Sequence, residues 1–201
     1  MARILVVSDI HGSLAGFHSI REMISIHSPE LLVICGDITN FGRTEWQGNI
    51  LDRFDIPIMA VNGNCDTMDV AGALITDMER GLINRTRAFG ELNFLGLGYP
   101  IERDIDAGGG FDALITHVPP KGCNDRIPGG NRGDEWLRKF VMERRPRLVL
   151  SGHIHESRGI CRLGETVCVN PGPAMDGLGA IIQTNHEIRA ELVNVDIPAK
   201  L

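Results

Sequence analysis

Apolar and polar positions fall in blocks along this chain, and nearly every apolar block ends in a polar cluster. Residues 2–8 (Ala-Arg-Ile-Leu-Val-Val-Ser) are rich in β-branched side chains, the pattern of a strand buried in a sheet. Leu14, Phe17, Ile20, Ile24 and Ile26 then recur at near-helical spacing, which predicts a helix to about His27, ended by Pro29. Residues 30–35 and 56–61 read as the second and third strands, with a weaker helix over 44–54 between them. A helix near 69–79, a hairpin over 86–98 turning at Gly90-Glu91, and a buried strand over 111–116 follow. Residues 118–133 are rich in Pro and Gly and read as an irregular loop. Asp134 is placed to cap a helix through about Arg144, stopped before Pro146, and 147–150 is another strand. Hairpins over 159–169 and 178–193, turning near Gly164-Glu165 and Asn185-His186, complete the pattern. Strand–helix–strand units alternating with hairpins predict an α/β fold with right-handed crossovers and parallel pairing. The expected architecture is a single domain over 1–201, a four-layer α/β/β/α sandwich of two mixed sheets flanked by helices.

Composition narrows the setting. Of 201 residues, 43% are hydrophobic and 23% charged, an ordinary globular profile that suits one domain with a substantial core. The formal charge of -6 argues against coating nucleic acid or a membrane surface. It does not argue against an anionic substrate, because bound metal ions reverse the field locally. The apolar runs fall far short of the roughly 20 residues of a membrane span. Met1-Ala2-Arg3 leads straight into a strand, without the pattern of a secretory leader, so a cytoplasmic protein is expected. The five cysteines, an odd number without a Cys-x-x-Cys pair, are expected to be reduced. Cys35, Cys161 and Cys168 read as core packing, and Cys123 receives no role.

The chemistry lies at the ends of the strands, where open α/β sheets place their ligands. In chain order the clusters are Asp9-x-His11, Gly36-Asp37, Gly63-Asn64-Cys65-Asp66, Thr116-His117 and Gly152-His153-x-His155. In extended backbone His153 and His155 look to the same side, and neutral imidazoles suit borderline metal ions. Each residue alone has a plainer reading. Asp9 could cap the following helix, Asp37 steady a turn, Asn64 occupy a left-handed turn position, and His117 close a strand. Taken together, the set reads as a two-metal site. His18, His27 and His186 read as solvated, and Asp66 and Asp134 as helix caps. Lys121, Arg126 and Arg132, in the Gly/Pro loop, either reach a substrate phosphate or are ordinary surface charges.

In this order, from Asp9 to His155, the five blocks resemble the calcineurin-like metallophosphoesterase family. Thr116-His117-Val118-Pro119-Pro120-Lys121-Gly122 and Asn170-Pro171-Gly172 are similar to small bacterial and archaeal predicted phosphoesterases of that family, the Icc-related ones. The resemblance implies two ions sharing Asp37, one completed by Asp9, His11 and His155, the other by Asn64, His117 and His153. Asp37 can bridge the pair with its two oxygens, and Asp9 and Asp37 leave the centre at a net charge of about +2, an attractive well for phosphate. The implied reaction is in-line attack of a metal-bridging hydroxide on a phosphodiester or phosphomonoester, with diesters favoured. Asp37, Asn64, Cys65 and His117 carry the catalytic roles. The donor set suits manganese first, with iron, nickel or zinc as alternatives. A small phosphoester is the expected partner, with no membrane, no long nucleic acid and the oligomeric state left open. One position departs from the pattern. Where many members carry a histidine this chain has Cys65, a feeble cation, which implies slow turnover and a preference for good leaving groups. The competing readings are a scaffold that keeps the fold with little or no catalysis, and a one-metal protein. All seven ligand positions hold competent side chains, which favours the enzyme.

Overall fold

The structure is a computed structural model that describes residues 2–43, 50–105, 110–185 and 187–197. It begins with β1 (Ala2–Val7), all but one of whose residues are buried, and a loop that leads to α1 (Leu14–His27). Helix α1 starts where Ser13 turns its hydroxyl back to accept the Gly16 N–H, and stops where Ser28 turns left-handed and its N–H donates to the Ile24 carbonyl. β2 (Leu31–Cys35), β3 (Ile58–Val61) and α2 (Met68–Thr76) follow, then the hairpin β4 (Arg85–Phe89) and β5 (Leu92–Leu97), and β6 (Ala113–Thr116). A two-residue ladder, β7 (Arg126–Ile127) with β8 (Gly130–Asn131), precedes α3 (Glu135–Arg144), which Asp134 caps by accepting the Leu137 N–H at 2.7 Å. The remaining strands are β9 (Leu148–Leu150), β10 (Gly159–Leu163), β11 (Thr166–Asn170), β12 (Leu178–Thr184) and β13 (Ile188–Asn194).

Two large sheets result, in the orders β13-β12-β1-β2-β3 and β10-β11-β9-β6-β5-β4. In the first, β1-β2-β3 pair in parallel up to the β3 edge and the antiparallel hairpin β12–β13 forms the other margin; in the second, a parallel centre β11-β9-β6-β5 lies between antiparallel β10 and β4. The parallel centres explain why these strands read as unbroken apolar runs, since both faces are covered. Side-chain alternation sorts them into three packed layers. Leu5, Val7, Leu32 and Ile34 face α1 and α2, in one core with Phe17, Ile20 and Leu74. Ile4, Val6, Val33 and Val61 meet Phe94, Ile115, Leu150 and Val169 between the sheets. Leu95, Leu114 and Val149 face α3, packed with Leu137 and Val141. The α/β/β/α sandwich is therefore the observed architecture. Each large side chain removed from water contributes about 1.5–3 kcal/mol, so three such layers fix the register of every central strand.

The structure corrects several expectations. Of the helix expected over 44–54, the described part is one short 3-10 turn, Ile50–Arg53, while 44–49 and His186 lie outside the described residues. Loop 118–133 is not wholly irregular, because it carries the β7–β8 ladder. Asp66 does not cap α2, whose cap residue is Thr67. The cysteines are not all reduced either. Cys123 and Cys161 are joined in a disulfide, with Cα atoms 6.0 Å apart. Loop 118–133 folds back over β10, bringing together two residues 38 apart in the chain, a proximity that spacing alone hides. Cys35, Cys65 and Cys168 are free, and cysteine content no longer speaks for a reducing compartment. No helix among the described residues is long and apolar enough to cross a membrane.

Candidate metal centre

Asp9 and His11 follow β1, Asp37 follows β2, Asn64 and Cys65 follow β3, His117 follows β6, and His153 and His155 follow β9. All eight sequence-predicted residues thus lie at the carboxyl ends of parallel strands of the two facing sheets. The backbone there is contorted. Asp9, His11, Asp37 and His153 all have positive φ, between 50° and 69°, a region that non-glycine residues enter rarely and mostly at functional sites. Two glycines make the close approach possible. A Cβ on Gly63 would stand 2.2 Å from Asp37 Oδ1, and one on Gly152 would stand 1.8 Å from Ser8 Oγ.

Donor atoms converge in two adjoining groups. In the first, Asp9 Oδ1 lies 3.2 Å from His155 Nε2 and 3.7 Å from His11 Nε2, and His11 Nε2 lies 3.8 Å from Asp37 Oδ2. In the second, Asp37 Oδ2 lies 3.3 Å from His117 Nε2, which lies 2.9 Å from Asn64 Oδ1. His153 joins this half through its ring, 5.0 Å from that of His117. Cys65 Sγ falls within 4.8 Å of ligand atoms of His11 and Asp37. Asp37 does not present two free oxygens. Its Oδ1 accepts the Cys65 N–H at 2.7 Å, and Oδ2 alone faces both halves.

The chemistry of this donor set asks for cations. The His117 Nδ1–H donates to the Cys35 carbonyl at 2.8 Å, which fixes the tautomer and leaves the Nε2 lone pair aimed at two oxygens. Lone pairs crowded on lone pairs repel unless a proton or a metal ion stands between them. Asp9 Oδ1 is buried and lacks a hydrogen bond of ordinary geometry. The side chains therefore fit divalent cations.

Protonation follows from these contacts. Burial pushes Asp37 up, but His117 and the Cys65 N–H more than offset it and hold the carboxyl at about 2. Asp9 is lowered too: burial opposes this, while His155 and His117 prevail. Burial pulls His117 down, yet Asp37 and Asp9 leave it raised. The neighbouring Asp9 carboxylate raises His155, whereas burial and then the charge of His117 lower His153. Burial, then the Asp37 carboxylate, pushes the Cys65 thiol up to about 12, so it is a neutral thiol near pH 7. Asn64 Nδ2 donates to that sulfur at 3.2 Å, which turns Asn64 Oδ1 toward His117.

Several supporting residues escaped the sequence reading. Asp66 accepts the N–H groups of Ile38, Thr39 and Gly63 at 3.2, 2.8 and 2.9 Å, tying the Asp37 loop to the Asn64 loop. The buried Asn170 amide donates to Ile154 O at 2.8 Å and holds the His153–His155 turn, and the Asn170-Pro171-Gly172 run was its one visible signal. Asp9 Oδ2 accepts the His153 N–H at 3.0 Å. Of the loop cations, Lys121 pairs with Glu135 at 2.6 Å and Arg132 is exposed. Arg126 lines a polar cleft of about 970 Å³ together with Asn124, Asp125, Asn131, Glu156 and Arg158, beside the His155 turn. His18 is exposed and His27 half-buried, both on α1.

Candidate metal ligands gathered at the strand ends of a two-sheet α/β sandwich point to a class of protein, and comparison with known families agrees. Residues 2–186 match the calcineurin-like phosphoesterase superfamily domain, and the chain belongs to that family. It is 27% identical over 199 residues to the uncharacterized protein MJ1162 of Methanocaldococcus jannaschii, covering 85% of this chain and 88% of that one. Among solved structures, TT1561 of Thermus thermophilus is similar with a TM-score of 0.66 at 14% identity, over 96% of this chain and 98% of that one. A structure described as that of a novel archaeal phosphodiesterase is similar with a TM-score of 0.58 at 18% identity, over 95% and 99% of the two chains.

Proposed function

We propose that this chain, acting as one domain over residues 1–201, hydrolyses phosphoesters with two divalent transition-metal ions, manganese first among them, and takes diesters in preference to monoesters. The observation that carries the reading is Asp37 Oδ2, a single carboxylate oxygen that faces His11 on one side and His117 on the other. Asp9, His11 and His155 would hold one ion, Asn64, His117 and His153 the other, with Asp37 common to both. When bound, such a pair supplies Lewis acidity toward the phosphoryl oxygens and a water acidic enough to attack at neutral pH. The protein's own part is positioning. The Cys35 carbonyl keeps the proton on His117 Nδ1, Asp66 locks the two loops together, and Asn170 holds the His153–His155 turn. Cys65, a neutral thiol beside Asp37, can donate a weak hydrogen bond to a phosphoryl oxygen without adding positive charge. The acidic chain supports a small substrate over long nucleic acid, and the reading keeps the cytoplasm as its setting.

The test is hydrolysis of bis-(p-nitrophenyl) phosphate and p-nitrophenyl phosphate by protein stripped of metal and then supplied with manganese. Manganese-dependent turnover, faster on the diester, is the expected result. A folded, manganese-loaded chain that leaves a broad phosphoester panel untouched would instead support a scaffold that keeps the fold.

A further inference from the structure

Two aromatic side chains stand out among the exposed large hydrophobic residues, Phe41 at 69% and Tyr99 at 41% accessible. Single exposed apolar residues are common and by themselves mean nothing. These two are fastened to the same segment of the metal centre. The buried Asn62 side chain takes both backbone groups of Tyr99: Nδ2 donates to the Tyr99 carbonyl at 2.6 Å, and Oδ1 accepts the Tyr99 N–H at 3.1 Å. The Phe41 N–H donates to the Cys65 carbonyl at 2.7 Å. Asn62 and Cys65 bracket Gly63-Asn64, so the loop that presents the Asn64 amide also sets the backbone of both aromatic residues. The Tyr99 ring meets the ring of His117 edge to face, with centroids 6.5 Å apart and planes at 84°. Beside the His155 turn, the surface is the polar cleft of Asn124, Asp125, Arg126 and Glu156, whose described lining residues include no aromatic side chain.

We propose that Phe41 and Tyr99 form a subsite for a planar aromatic group, an aryl ring or a nucleobase, carried by the phosphoester on the Asn64–His117 side of the centre. The inference rests on the phosphoesterase reading above and adds the class of substituent. Aromatic faces attract one another in offset or edge arrangements that an alkyl group cannot reproduce, and such stacking tolerates many ring identities. With its backbone held by Asn62 and its ring against His117, Tyr99 leaves less ordering to binding.

Calorimetry on the manganese-loaded chain tests the subsite with two non-hydrolysable probes, phenylphosphonate and methylphosphonate. The expected result is that phenylphosphonate binds about tenfold tighter. In the double variant Tyr99→Ala/Phe41→Ala the two should bind alike, with methylphosphonate and manganese stoichiometry unchanged. Tyr99→Phe should keep the preference, since the ring and not the hydroxyl carries it. A wild type without preference, or a double variant that retains it, overturns the subsite and leaves the phosphoesterase reading standing. A manganese-loaded chain that binds neither probe overturns both.

Discussion

Cys65 stands where the resemblance led one to expect a histidine, and its surroundings say what a thiol does there. Burial and the neighbouring Asp37 carboxylate push the thiol to about 12, so at neutral pH it is uncharged and offers one weak donor. A histidine in its place, beside the same carboxylate, would be raised toward the cationic form and would steady a poor leaving oxygen. Cys65→His is therefore expected to raise kcat/KM for an unactivated alkyl phosphodiester by about tenfold or more, and to change an activated nitrophenyl diester much less. Equal effects on the two esters would contradict this role. Most of the ligands were legible in the sequence because they sit two positions from another donor or beside a glycine at a strand's end; His117, between Thr116 and Val118, was legible only through its place in the ordered set. Asp66 and Asn62 were not, because what they hold lies at separations of 27 to 37 residues, visible only once the loops are folded.

Among the elements, the strand-end turns are the least tolerant of added atoms. Gly63 packs its Cα against Asp37, and a Cβ there would overlap Oδ1 at 2.2 Å. Asp37 cannot retreat, since the same oxygen is held by the Cys65 N–H. Gly63→Ala is expected to cost about 1–3 kcal/mol of stability. It should also weaken manganese binding by about 10- to 100-fold, because the shared carboxylate must move. A thermal melt and a manganese titration on the same preparation check both, and unchanged manganese affinity would contradict the role given to the turn. Helix and strand placement was legible wherever apolar periodicity was long, as in α1 and the two terminal hairpins. It failed where loops take their order from distant partners. The β7–β8 ladder is stitched by Asp125, which accepts the Gly122 and Gly133 N–H groups, and loop 118–133 is fastened to β10 by the Cys123–Cys161 disulfide.

For the molecule as a whole, two sheets flanked by helices could be expected from the succession of strand–helix units and hairpins, but the charge balance at the strand ends could not. His117 and His155 are raised above the ordinary 6.5 because Asp37 and Asp9 face them. A histidine raised in the folded state adds stability below 6.5 and loses it as pH climbs through the folded value. His153 is shifted the other way, and its effect lies below 6.5, so it does not alter the sign above. Metal-free protein should therefore lose thermal stability as pH rises from about 6.5 toward 8. Manganese-loaded protein should gain over the same window, since ions compete with protons for Nε2 of both histidines. Parallel melting curves with and without manganese, crossing in sensitivity to pH, are the expected result, and identical pH slopes would contradict it.

The most direct measurement is the number of manganese ions held per chain after saturation and removal of excess metal, in the wild type and in Asp37→Ala. Sharing of Asp37 Oδ2 by both halves predicts two ions per chain in the wild type and loss of both in the variant, with the fold retained by circular dichroism. One ion per saturated wild-type chain, or an Asp37→Ala chain that still holds two, would contradict it.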